Sequence, residues 1–208
     1  MRYTMLQSMR LVALTLLAGV LVGTIGWASD GGPLLVRWTS AIAAGWLIGA
    51  FVVGALAGSG LRAAAAGAGT IVAGVATYYV LFHFVSGELS LRYGVVVGVA
   101  WSSVGIGIGA VLGWAGDAWR RRHADSIGVA LLSGALAGEA MLLLGEWQNR
   151  AARVVLICEL VLGAALPYLL ARPKLARTVA LSAAVAVAVI GVESAVRGTM
   201  RLAGWAGA

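Results

Sequence analysis

Apolar runs separated by short polar or charged segments fill the chain from end to end. Each run is close to the roughly 20 residues that a helix needs to cross a bilayer. Turn formers and charges bound the runs, and Pro173, which has no N–H to continue a helix, marks the last corner. This pattern predicts an all-α, polytopic transmembrane helical bundle of about seven spans, with residues 1–208 forming a single transmembrane domain. The predicted spans cover residues 11–27, 38–58, 63–85, 93–115, 127–144, 154–171 and 178–196.

The composition agrees with a chain that lies in lipid. The 208 residues are 61% hydrophobic and 11% charged, against about 45–50% and about 25% in a soluble domain. A formal net charge of +7 would suggest nucleic acid in a soluble protein. Here the basic residues lie between apolar runs, as in cytoplasmic loops. We therefore predict no nucleic-acid partner, and we expect the lipid bilayer itself to be the main partner.

The distribution of basic residues predicts the orientation. With the N-terminus in the cytoplasm, more of them fall on the inner side, including the dense cluster Arg120, Arg121 and Arg122. The prediction is N-in and C-out, with this cluster in contact with anionic headgroups or with a cytosolic partner. A cleaved secretory signal over the first run is an alternative, because Gly26-Trp27-Ala28 has small residues at the spacing of a cleavage site.

Glycines recur four residues apart within the runs, the small-xxx-small pattern of closely packed membrane helices. We expect them to serve packing. The set is Gly19 and Gly23, Gly45 and Gly49, Gly54 and Gly58, Gly105, Gly109 and Gly113, and Gly134 and Gly138.

Charges within the spans are the candidates for function, because a charge in hydrocarbon is costly. Four acids have an arginine four residues later at a span end, as Asp117 has Arg121, and we expect these to be solvated ion pairs. Glu139 and Glu159 remain, inside apolar runs at similar predicted depth. A protonated glutamate could fix the bundle by hydrogen bonding across helices. The alternative is a site that binds a proton or a cationic group.

Polar and aromatic side chains share that predicted depth and complete the candidate site. An aromatic face attracts cations, and hydroxyl groups offer hydrogen bonds. The candidates for substrate or proton binding are Glu139, Glu159, Tyr78, Tyr79, Trp101 and Ser102.

Several segments together resemble a known family. They are residues 38–58, 74–79, 113–121, 134–139 and 158–167. The chain resembles a family of small multi-pass membrane proteins from actinobacteria with no assigned function. The resemblance implies a bacterial inner-membrane location and supplies no reaction, cofactor or substrate.

The function predicted from these residues is a small-solute transporter or permease, or the membrane-embedded substrate-binding subunit of one. The alternative is a structural or assembly subunit of a larger membrane complex. An enzyme is not expected, because His83 and His123 fall on opposite predicted sides and no H-E-x-x-H helix is present. We predict no metal and no cofactor. The expected partners are a small molecule or ion as substrate, and a second copy or another membrane subunit.

Overall fold

The structure is a computed structural model, and it describes residues 2–30, 44–87, 90–121, 125–148 and 150–202. Within these ranges the chain is helical and contains no strand, so the predicted all-α fold is confirmed. The helices are α1 (Arg2–Asp30), α2 (Ala44–Ala57), α3 (Gly60–Leu81), α4 (Leu91–Arg120), α5 (Asp125–Leu142), α6 (Arg150–Leu170) and α7 (Leu175–Leu202).

Six helical segments of the described ranges are long and apolar enough to cross a membrane. The exception is α2, whose 14 residues rise about 21 Å, less than the roughly 30 Å of a hydrocarbon core. Residues 38–43, where the second predicted span begins, lie outside the described residues. The orientation N-in and C-out stays a prediction.

Three short irregular segments connect or extend these helices. A π-helical turn, Phe82–Ser86, continues α3, and 3₁₀ turns follow α5 at Leu143–Glu146 and α6 at Arg172–Lys174. The last of these contains Pro173, at the corner that the sequence predicted. Trp27 on α1 donates a hydrogen bond from Nε1 to Oγ of Ser86, 2.9 Å away, which ties the π-helical turn to α1.

The chain divides into two compact units, Met1–Gly128 and Val129–Ala208. The first unit contains α1 to α4 and the first residues of α5. The second contains the rest of α5 with α6 and α7. The expectation of a single transmembrane domain stays a prediction.

Backbone contact between helices builds the first unit. Gly113 of α4 lies against the carbonyl oxygen of Ala63 on α3, and a Cβ added at Gly113 would stand 3.0 Å from Cα of Gly67. On α2, a Cβ added at Gly54 would collide with the backbone of the same Gly113. Gly113 thus lies where α4 meets both α2 and α3, and a residue without a side chain permits that close approach.

Most of the glycine prediction holds, with two exceptions. Gly45 has no atom within 4 Å of an added Cβ. Gly58 also has open space, and its φ of +78° places it in the left-handed turn between α2 and α3. Gly58 is a turn residue rather than a packing residue, because residues that carry a side chain rarely adopt that backbone conformation.

In the second unit, α5 packs against both of its neighbours. A Cβ added at Gly134 would lie 2.5 Å from the carbonyl oxygen of Ser182 on α7, and one at Gly138 would lie 2.9 Å from Cβ of Val189. The later residue of α5, Gly138, meets the later residue of α7, Val189, so α5 and α7 run parallel. Its other neighbour is α6, and the two acidic residues of interest lie on these two helices, Glu139 on α5 and Glu159 on α6.

Candidate functional site

Glu159 lies on the buried face of α6. The buried residues of this helix repeat every three or four positions and include Ala152, Leu156, Glu159, Gly163 and Pro167. Glu159 is 2% exposed, whereas the adjacent Cys158 is exposed. The carboxyl group of Glu159 therefore faces the interior of the protein and not the surrounding lipid.

A hydrogen bond joins α5 to α6 at Gly163, one turn beyond Glu159, and a proline in α6 makes this bond necessary. Pro167 has no N–H, so the carbonyl of Gly163, four residues earlier, loses its donor within the helix. The Ser133 hydroxyl on α5 donates a hydrogen bond to that carbonyl oxygen. In a membrane such a freed backbone group has no water to bind and depends on a neighbouring helix. The Ser133 hydroxyl therefore replaces the backbone N–H donor that is missing at Pro167.

This link fixes the register of the two helices. A Cβ added at Gly163 would lie 3.1 Å from the carbonyl oxygen of Ser133 and 3.6 Å from Cβ of Ala137. Consecutive helices with a short connection run antiparallel. Glu139, after Ala137, and Glu159, before Gly163, therefore both lie towards the α5–α6 connection.

The two carboxyl groups are close enough to interact electrostatically. Glu139 is half-buried and its Oε2 atom is buried. Two carboxylates at short range repel each other, and burial removes the water that would screen them. The pair is therefore stabilised by anything that places a positive charge or a proton between its members.

Neither carboxyl oxygen of Glu159 has a hydrogen-bond partner within the described part of the chain, although both are buried. The two buried hydroxyls described on α7 bond within their own helix or its preceding turn. Thr178 donates to the carbonyl of Lys174 at 3.0 Å, and Ser182 to that of Thr178 at 2.8 Å. A glutamate that served only to fix the bundle would be expected to bond across helices. Glu159 makes no such bond to the described residues.

The other four predicted site residues belong to the first unit, and two of them line the same groove. Tyr79 and Ser102 line a common groove between α3 and α4. Tyr78 does not line that groove, although its ring centroid lies 5.1 Å from that of Tyr79; it also packs 6.5 Å from Trp46 and 4.8 Å from Phe82. Trp101 is 41% exposed and does not line that groove. That these residues share a site with the carboxyl pair stays a prediction.

The basic cluster also divides. Arg120 is exposed, and Arg122 lies outside the described residues. Arg121 binds Oδ1 of Asp117 from Nε at 2.9 Å and also donates to the carbonyl of Gly58 in the α2–α3 turn. Contact of this cluster with headgroups or a partner stays a prediction.

The expectation that Asp117 and Arg121 form a solvated pair is wrong for the aspartate. Asp117 is 3% exposed, because the α2–α3 turn covers this end of α4. The other three predicted pairs, Glu88 with Arg92, Glu146 with Arg150, and Glu193 with Arg197, each include a side chain outside the described set.

Sequence reasoning missed the partnership of Ser133 with Pro167. A proline within a predicted span was the available signal, because it indicates a carbonyl that needs an outside donor. It also missed the π-helical turn that carries His83, and no sequence signal identifies that turn. Within the described ranges, no group of three or more His, Cys, Asp or Glu residues could hold a metal ion.

Comparison with known proteins gives a family and no further relative. A family model described as "Family of unknown function (DUF6518)" matches residues 3–199. No curated protein and no solved structure matches the chain.

Proposed function

The chain belongs to the DUF6518 family of unknown function, and we propose that it is a small-solute transporter or permease, or the membrane-embedded substrate-binding subunit of one. In this proposal the carboxyl groups of Glu139 and Glu159 form the site that takes up and releases a proton or a cationic group. The chain acts as a transport protein and not as an enzyme. Its location is the inner membrane of a bacterium, as its resemblance to small actinobacterial membrane proteins implies.

The observation that carries the proposal is Glu159, a buried acid with no hydrogen-bond partner for either oxygen among the described residues. Ionisable groups inside membrane proteins are costly and often mark ion or substrate pathways. A carboxyl that fixed the bundle would gain its stability from donors, and Glu159 has none there. In a transporter, the free-energy cost of burying this carboxyl group is offset by the ligand that it binds.

The pairing with Glu139 suggests how binding and release are coupled. Two interacting carboxyl groups take up protons as a unit, and the first proton bound relieves their mutual repulsion. A cation that enters between them relieves the same repulsion and can therefore displace a proton. When protons leave down their own gradient, this exchange moves the cationic solute against its gradient.

Transport in reconstituted vesicles tests this proposal. Proteoliposomes that are acidic inside would be given tetraphenylphosphonium, ethidium or tetramethylammonium as cationic probes, and both uptake and internal pH would be recorded, with protein-free liposomes as the baseline. We expect the native chain to accumulate at least one probe and to release protons in exchange. Glu159→Gln and Glu139→Gln should abolish both signals, because an amide takes up no proton at neutral pH and has no negative charge to exchange between a proton and a cation.

A matched control is available on the same turn of α6. Cys158 adjoins Glu159 but is exposed, so Cys158→Ser should transport as the native chain does. If both glutamine variants transport normally, the carboxyl pair has no part in the mechanism.

Carbodiimide labelling gives a test that needs no known substrate. Dicyclohexylcarbodiimide partitions into lipid and reacts with protonated carboxyl groups, and mass spectrometry locates the modified residue. We expect Glu159 to be modified in the native chain and a bound cationic probe to slow the reaction. An unreactive Glu159, or modification that no probe affects, would speak against an exchangeable proton.

A structural or assembly subunit is the alternative function. It predicts a fixed membrane partner that co-purifies with the chain, and no movement of any probe by the chain and partner together. That combined result would replace the transport proposal.

A further inference from the structure

A groove of about 510 Å³ runs between α3 and α4 in the first unit, whereas the acidic pair belongs to the second. Its walls are almost entirely apolar. Residues that define it include Val75, Tyr79 and His83 on the α3 side and Gly94, Gly98 and Ser102 on α4. Its volume falls within the range of roughly 300–1,000 Å³ that is typical of small-ligand sites.

The groove exists because the spacing of α3 and α4 changes along their length. At one end Gly109 lies against the backbone of Gly67, so the helices touch directly. Towards the other end, the ring of Tyr79 lies between the two helix backbones and contacts α4. A Cβ added at Gly98 would stand 3.2 Å from that ring, and one at Gly94 would stand 4.0 Å from it. The ring of Tyr79 therefore packs closely on Gly98 and more loosely at Gly94, and it forms part of the groove wall.

The groove extends over about one leaflet of a bilayer. On α4 its lining runs from Leu91, the first residue of the helix, to Ile106, at the helix centre. At 1.5 Å per residue this distance is about 22 Å, which is half of the roughly 40–45 Å thickness of a bilayer with its headgroup regions. A transmembrane helix of a second copy would cross both leaflets, but a lipid tail occupies only one.

One end of the groove is polar and cationic. His83 lines it from the π-helical turn after α3, and Arg92 follows the lining residue Leu91 and is exposed. The opposite end, at Ile106 in the middle of α4, has no charged or titratable residue among those that line the groove. This polarity matches a phospholipid, whose phosphate lies at the interface and whose tail reaches the midplane.

We propose that this groove binds one acyl chain of a membrane phospholipid, with the lipid phosphate next to Arg92 and His83. Gly94 leaves room for the tail, and Tyr79, which packs on Gly98, forms the surface on which it lies. The site uses none of the residues of the carboxyl pair, so its test is independent of the proposed transport function.

Photo-crosslinking tests the proposal on the full chain. The protein would be reconstituted in phosphatidylcholine vesicles that contain phosphatidylglycerol with a diazirine in the middle of one acyl chain. After illumination, mass spectrometry would locate the attached lipid. We expect crosslinks to concentrate on the groove residues of α3 and α4, in excess over other exposed positions such as Ile108 and Val111.

Filling the groove should remove the lipid. Gly94→Ile places an apolar side chain where the tail would lie, and its Cβ meets Tyr79 only at an ordinary contact distance. We expect groove crosslinking to fall about tenfold, which corresponds to about 1.4 kcal/mol. The matched control is Gly107→Ile on the same helix, where an added Cβ has no atom within 4 Å and crosslinking should not change.

The cationic end has its own test, which also serves if Gly94→Ile fails to fold. Arg92→Gln should reduce the preference for phosphatidylglycerol over a neutral photo-lipid by roughly fivefold, the effect of about one basic residue at a membrane surface. Arg62→Gln, which changes another exposed arginine of the first unit, should leave that preference unchanged.

Three results would overturn the proposal. Crosslinks spread evenly over the exposed apolar residues would mean ordinary solvation by lipid. Crosslinking that Gly94→Ile does not reduce would place the lipid elsewhere. Protein–protein crosslinks through the groove, without lipid, would identify a second copy as the occupant.

Discussion

Replacing Ser133 with alanine should destabilise the second unit, and the cost should depend on whether residue 167 is a proline. The Ser133 hydroxyl donates to the carbonyl of Gly163, which Pro167 cannot serve because it has no N–H. Ser133→Ala therefore leaves a buried carbonyl without that donor. In the Pro167→Ala background the new N–H of residue 167 can bond to the same carbonyl, and the serine is no longer needed.

The expected size follows from the burial of this hydrogen bond. Leaving a buried acceptor unsatisfied costs about 1–3 kcal/mol, and hydrogen bonds between membrane helices are worth about 0.6 kcal/mol on average and at most about 1.7. We expect Ser133→Ala to cost about 1–2 kcal/mol when Pro167 is present and less than about 0.5 kcal/mol in the Pro167→Ala background. The coupling energy in the double-mutant cycle is then about 1 kcal/mol.

Reversible unfolding in mixed micelles of dodecylmaltoside and dodecylsulfate, followed by circular dichroism, measures these differences. The control is Ser103→Ala, because the Ser103 hydroxyl bonds to the carbonyl of Val99 within its own helix at 2.8 Å. That carbonyl keeps its backbone donor, so the control should be nearly neutral. An equal cost of Ser133→Ala in both backgrounds would refute the role given to the proline.

Two further substitutions test the first unit, and both are measured by the same unfolding assay. Arg121→Ala should cost about 2 kcal/mol, because it leaves the buried carboxylate of Asp117 without its cation, whereas the exposed Arg120→Ala should change stability little. Gly113→Ala should cost about 3 kcal/mol or more, because a methyl group there meets backbone atoms of α3. Gly107→Ala has open space and should gain up to about 1 kcal/mol from helix propensity. If a substitution and its control, Arg121→Ala with Arg120→Ala or Gly113→Ala with Gly107→Ala, changed the free energy of unfolding equally, the packing described for that site would be wrong.

The apolar runs predicted the helical class and most of the helix positions. A backbone in lipid must satisfy its own hydrogen bonds, so a long apolar run leaves helix as the available structure. The small-xxx-small pattern likewise identified Gly109 and Gly113 as packing positions, because close backbone approach is what small residues permit. It failed at Gly58, because spacing alone does not distinguish a packing glycine from one that a left-handed turn requires.

The candidate site was predicted only as a set of residue types. Glu139 and Glu159 stood out because each lies in an apolar run without a basic neighbour, a property that the chain shows directly. Depth along a span does not determine direction around the helix axis. The sequence therefore grouped Tyr79 with Trp101, although the structure places the first in a groove and leaves the second 41% exposed outside that groove.

What the sequence determined by itself is therefore one-dimensional: which segments are apolar enough to be helices in lipid, and which few acids those segments contain. The tertiary structure decided which face of each helix is covered. It set Glu159 inward beside Glu139, covered Asp117 with the α2–α3 turn, and gave the Gly163 carbonyl its donor from Ser133. The physical reason is that hydrophobicity acts on every apolar surface alike, whereas the rotation and register of packed helices depend on contacts between residues far apart in the chain.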